Sequence, residues 1–113
     1  MRVRDRLRVE KRTREIIKLV EPKLLKKLRI IWCRRLPCDH KDYLTHAIVD
    51  AQVPWIFFDE YVHGISSKEE NEDTIRHEIA HLMAYFKYGR DIPDHGKEFR
   101  AARRRVEKVL GKK

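Results

Sequence analysis

The sequence predicts an α+β fold: an N-terminal helix, a three-stranded antiparallel sheet, a central helix and a C-terminal helix. Three observations predict it. Apolar residues recur at helical spacing near the N-terminus, again between Ser67 and Tyr88, and again from Phe99 to Leu110. Between the first two of these segments lie three short runs of strand composition. The links between those runs are short and turn-forming, which favours a meander over crossovers. At 113 residues the chain is expected to form a single domain, 1–113, with a small core.

Each element has its own signal. From Arg2 to about Leu28, Ile16, Val20, Leu24 and Leu28 repeat every four residues, and Ile17 and Leu25 widen the stripe. Pro22 cannot sit inside a regular helix, so a kink or break is expected near Val20-Glu21. The runs Arg29–Arg34, Leu44–Val49 and Val53–Phe58 read as strands, separated by Pro37-Cys38-Asp39-His40 and by Ala51-Gln52. Pro54 should begin its strand or mark an edge, because it lacks a ladder donor. Ser66 or Ser67, with Glu69 or Glu70 three residues on, forms a capping box that opens the central helix. There Ile75, Ile79, Leu82, Met83 and Phe86 form the apolar stripe, while Glu72 and Asp73 suit the positive end of the helix dipole. In the last helix Phe99, Ala102, Val106, Val109 and Leu110 line one side, opposite Arg100, Arg103, Arg104, Arg105 and Lys108.

The central helix carries the chemistry, in the run Arg76-His77-Glu78-Ile79-Ala80-His81-Leu82. On a helix, His81 lies about 40° round from His77, so both imidazoles can reach one ion. Glu78 lies about 100° from His77 and 60° from His81, near enough to serve as a base without becoming a ligand. With six His and ten Glu in the chain, this H-E-x-x-H pattern arises by chance about 3% of the time. The competing interpretation is a solvated face that happens to hold two histidines. The apolar stripe argues against it, and the histidines are expected to flank that stripe. A tetrahedral zinc needs a third protein ligand besides a water, and His95 in Asp94-His95-Gly96-Lys97-Glu98-Phe99 is the natural candidate.

The order HEIAH, a loop of about a dozen residues, then HGKEF opening another helix resembles the SprT-like metalloprotease domain, to which the Spartan proteases of DNA–protein crosslink repair belong. The match is carried mainly by residues 74–99. The resemblance implies a zincin-like fold and one Zn2+ per chain, held by His77, His81 and His95, with Glu78 as the catalytic glutamate. It also implies that an exposed edge strand near the metal helix takes the substrate as an added strand. The family often has glycine before the third histidine. Here Asp94 stands in that place, where it is expected to cap the following helix. Family members often carry a C-terminal zinc ribbon, and this sequence is expected to be the minimal form without one.

Charge adds a possible partner. The chain carries +9 overall, with 15 Lys/Arg against 6 Asp/Glu in residues 1–42, 3 against 8 in 43–88, and 9 against 4 in 89–113. Basic ends around an acidic middle suit DNA or RNA bound through the N- and C-terminal segments, and equally suit a heavily solvated surface. No apolar run approaches a membrane span and no signal-peptide core is present, so no membrane association and a cytoplasmic location are expected.

The leading functional expectation is a zinc endopeptidase acting on a protein or peptide substrate, including DNA-bound proteins by the resemblance. Its oxyanion stabiliser is open among Tyr61, Tyr85 and Tyr88. Two alternatives stand beside it: a nucleic-acid-binding module with a structural zinc, and a zinc peptidase that cleaves a regulator protein. A structural site should recruit a fourth protein ligand, which discriminates between these classes. Cys33, Cys38 and His40 make a poor second metal site, and a buried Cys33 with a turn Cys38 is expected instead. His46 and His63 are assigned no role, His63 falling in a loop before the metal helix.

Overall fold

Pro22 ends the first helix as its chemistry requires. In the computed structural model, which describes residues 2–34, 47–50, 54–89 and 91–111, α1 runs Val3–Val20. Glu21 leaves the helical conformation with ψ of 76° while its N–H still donates to the Ile17 carbonyl, and a 3-10 helix follows over Pro22–Lys27. Strands β1 (Arg29–Cys33), β2 (Ala47–Asp50) and β3 (Trp55–Asp59) come next, then α2 (Glu60–Ile65), α3 (Lys68–Tyr88) and α4 (Lys97–Val109). The fold is mixed and mostly helical, with one small sheet. The expected turn at residues 37–40, His46, the start of the second strand run and the link through residues 51–53 lie outside the described residues.

The sheet corrects the antiparallel expectation. Its order is β1-β3-β2, and only β2 runs antiparallel to β3, with Ala47 opposite Phe58 and Asp50 opposite Trp55. β1 runs parallel to β3, in register from Arg29 beside Trp55 to Cys33 beside Asp59. The third strand is therefore the centre of the sheet, and the first and second are its flanks. Pro54 stands just before β3, where its carbonyl accepts the Arg29 N–H at 3.2 Å and its missing donor costs nothing.

The core joins α1, the sheet, α3 and α4. Ile16, Ile17, Val20, Leu24, Ile56, Phe58, Ile75, Ile79 and Val106 are all buried. Phe86, expected on the stripe of α3, is 55% exposed, so the helix leaves the core before its last turn. Trp32 packs on Phe58 with ring centroids 5.2 Å apart, and its Nε1 donates to Glu10 of α1 at 3.0 Å. Cys33 is only partly buried. His63 lies on α2 rather than in a loop, fully buried edge-on to Trp32 and Phe58.

Charged side chains continue this packing at the surface. Glu72 takes a bidentate bond from Arg12 of α1 and another from Arg76 at 2.8 Å. Arg76 also donates to Glu107 of α4 at 2.7 Å, and Arg103 bonds both Glu107 and Asp73. Glu72 and Asp73 thus join three helices, a larger role than the dipole contribution expected of them. Arg105 is likewise engaged, donating to the Val20 carbonyl at the end of α1.

Candidate metal centre

The site begins with how α3 is set. Ser67 caps it, accepting from the Glu70 N–H at 3.0 Å while Glu70 accepts from the Ser67 N–H at 2.7 Å, the expected capping box. Ser66 instead closes α2, donating to the Val62 carbonyl. At 100° per residue, His77 and His81 each stand about 200° round from the isoleucine two positions earlier. The histidines therefore lie opposite the apolar stripe, where they had been expected to flank it. That opposite side is nonetheless covered. Ala80 and Ala84 are buried, small enough for neighbouring segments to approach, and Phe99 of α4 packs over the imidazoles. These alanines were the readable sign of a second packed face.

The third histidine arrives by a tight return of the chain. Gly89 ends α3 with φ of 86°, a conformation that other residues adopt only with strain, and its N–H reaches the Tyr85 carbonyl at 2.8 Å. Gly96 packs so closely that a β-carbon there would meet Pro93 at 3.0 Å. α4 then starts at Lys97 and runs back along α3. Its N-cap is Gly96 with no side-chain bond, so Asp94 is not the helix cap that its position suggested.

These elements bring the three predicted ligands together. The Nε2 atoms of His77, His81 and His95 form a nearly equilateral triangle with sides of 3.2, 3.1 and 3.2 Å. Tetrahedral zinc with Zn–N near 2.0–2.1 Å holds its nitrogens about 3.3–3.4 Å apart, so the triangle has the size of one face of such a site. With ring protons on Nδ1, three lone pairs converge on one point, an arrangement that a cation would stabilise. Burial, with His77 beside it, lowers His81 to a pKa of about 4, and burial also lowers His77. Both are thus neutral at pH 7, the form that ligates. Among the described residues, the group able to hold a metal ends at these three, with no fourth protein ligand.

Glu78 is buried beside them, and that burial, reinforced by the charge of Asp94, raises its pKa to about 8. Tyr85, one of the three candidate tyrosines, stacks on His81 with centroids 5.8 Å apart and donates to Asp94 Oδ1 at 3.0 Å. Tyr61 lies on α2, and Tyr88 ends α3 beneath the Lys87 ammonium. A cavity of about 820 Å³ lies elsewhere, between α1 and the start of α3, and contains none of the three converging histidines. The centre is instead open at the surface, where His95 is exposed.

Three convergent imidazoles, with no fourth protein ligand among the described residues, and a buried carboxylate next in sequence to one of them make a candidate metal centre. The chain belongs to the SprT-like family, whose profile matches residues 26–112. That membership gives it the character of a zinc-metallopeptidase-like domain. No curated protein and no solved structure matches the chain. Among the described residues, no helix is long and apolar enough to cross a membrane.

Proposed function

We propose that this chain is a zinc-dependent endopeptidase in which His77, His81 and His95 hold one Zn2+ and Glu78 is the general base. The observation that carries this reading is the 3.1–3.2 Å triangle of Nε2 atoms with a buried carboxylate next in sequence to one of them. Zinc bound there would polarise a scissile carbonyl and supply a water acidic enough to ionise near neutral pH. Glu78 takes the proton of the attacking water on its carboxylate and returns it to the leaving amine. Its burial suits that task, since a basicity raised to about 8 is brought toward neutrality by a neighbouring cation. An extended protein or peptide substrate adds along β2, an outer strand of the sheet among the described residues, which packs against α3.

Among the described residues the three histidines have no fourth protein ligand beside them, which favours catalysis over a closed structural zinc. Nucleic acid is the second partner in this proposal. Lys97, Arg100, Arg104 and Lys108 are exposed on α4 beside the centre, and proteins bound to DNA are the substrates such a placement would select. The deciding experiment is Glu78→Gln, which keeps the shape of the side chain but cannot accept a proton near neutral pH. Bound zinc should remain at one per chain while cleavage of an unstructured protein falls by at least ~10²-fold. Undiminished cleavage by the purified variant would remove Glu78 from the mechanism.

A further inference from the structure

The unexplained group at this centre is Asp94. Histidines that bind a metal through Nε2 carry their remaining proton on Nδ1, and each Nδ1–H then needs an acceptor behind the ligand. His81 Nδ1 is buried and has no hydrogen-bond partner. Asp94 Oδ1 lies 3.8 Å from it, and the other oxygen of the same carboxylate lies 3.9 Å from His95 Nδ1. Both distances exceed a hydrogen bond, so the carboxylate now faces two imidazoles without bonding either. The Asp94 side chain is 71% exposed, and an approach of about 1 Å would bring its oxygens within hydrogen-bond distance of the two rings. Its direction is held by Tyr85, whose hydroxyl donates to Oδ1 and whose ring stacks on His81. Asp94 is not a fourth ligand, because it stands on the Nδ1 side of the rings, away from the point where the three Nε2 atoms meet.

We propose that Asp94 is a positioning residue for the metal centre, one carboxylate that accepts the Nδ1 protons of both His81 and His95 and is itself held by Tyr85. It links a ligand from α3 to the ligand that precedes α4, fixing ring tautomer and orientation at both. The inference rests on the three-histidine reading of the site, and its test separates the two.

The experiment measures apparent zinc affinity of the full chain by competition with a chromogenic chelator, for the parent, Asp94→Ala, Asp94→Glu and Tyr85→Phe. It also takes thermal melts of the metal-free forms. Loss of such an acceptor typically costs 10- to 100-fold in affinity, and Asp94→Ala should fall in that range with its metal-free melt unchanged. Asp94→Glu should recover most of the loss, and Tyr85→Phe should show a smaller one. The absorption of the cobalt-substituted protein should shift in Asp94→Ala, as ring orientation changes. Parental affinity in Asp94→Ala overturns the proposal. So does a loss that Asp94→Glu shares in full together with a lowered metal-free melt, which marks a merely structural residue. A parent that binds no stoichiometric zinc would instead defeat the three-histidine reading itself.

Discussion

On one side of α3, Ile75, Ile79 and Leu82 meet α1 and the sheet with almost no surface left to water. On the other, His81 is buried and His77 half-buried against Phe99 and the return of the chain, with polar atoms turned toward one another. The first side gains from burial directly, since removing methyl groups from water needs no partner. The second gains nothing until something satisfies its nitrogens. Burying imidazoles and a carboxylate without compensating charge shifts all of them toward their neutral forms. A helix can thus be held in place by one side and made reactive by the other.

The sharpest way to break this comparison is to exchange the damage. His81→Ala should abolish stoichiometric zinc binding while leaving the metal-free chain folded, as read by metal analysis and circular dichroism. Ile79→Ala should do the reverse, costing about 2–5 kcal/mol in denaturant unfolding through its cavity while the folded fraction still binds zinc. If both substitutions unfold the chain equally, the two sides are not separable.

A smaller effect lies in pH. Folded Glu78 keeps its proton to about pH 8, whereas the unfolded chain loses it near 4.5, so the folded form binds more protons between these values. Its contribution therefore falls as pH rises through that window. His81 acts oppositely, because the folded form is neutral down to about pH 4 while the unfolded one charges below 6.5. His77, also lowered by burial, acts in the same sense as His81, so the two histidines oppose Glu78 below about pH 6.5. Above it Glu78 alone remains, and the urea midpoint of the metal-free protein should drop between pH 6.5 and 8. The same series in Glu78→Gln should be flat, and a parent midpoint that rises instead would contradict the burial of this carboxylate.

The smallest expected effect concerns the charged lattice over the joint of α1, α3 and α4. Arg76→Ala removes the link between Glu72 and Glu107 and should cost about 1 kcal/mol. The difference from the parent should narrow when unfolding is measured at 1 M salt, as screening requires. A loss independent of salt would mean that the packing of the arginine stem, rather than its charge, matters.

Most of the helical plan was legible. Pro22, the Ser67 and Glu70 pair and the four-residue repeats carry local instructions that tertiary structure does not override. The three strands were legible as runs, with ends shifted by one or two residues where the described residues test them, but strand direction was not. A run as short as Arg29–Cys33 reads the same beside a parallel or an antiparallel partner, so nothing in it announces that it runs alongside Trp55–Asp59. The three histidines were legible because helix geometry fixes two and a local motif supplies the third. The position of Asp94 was not, since a residue before a helix reads as a cap until the return of the chain shows Gly96 in that place.

The parallel pairing of β1 with β3 also separates near partners from distant ones along the chain. His77 and His81 lie on α3 and His95 on the short return between Tyr88 and Lys97, so only a small loop separates α3 from α4. β1 reaches β3 only across β2 and the connections on either side of it, a longer closure. The half of the molecule that gathers the imidazoles is therefore the half built from the nearest partners in the chain.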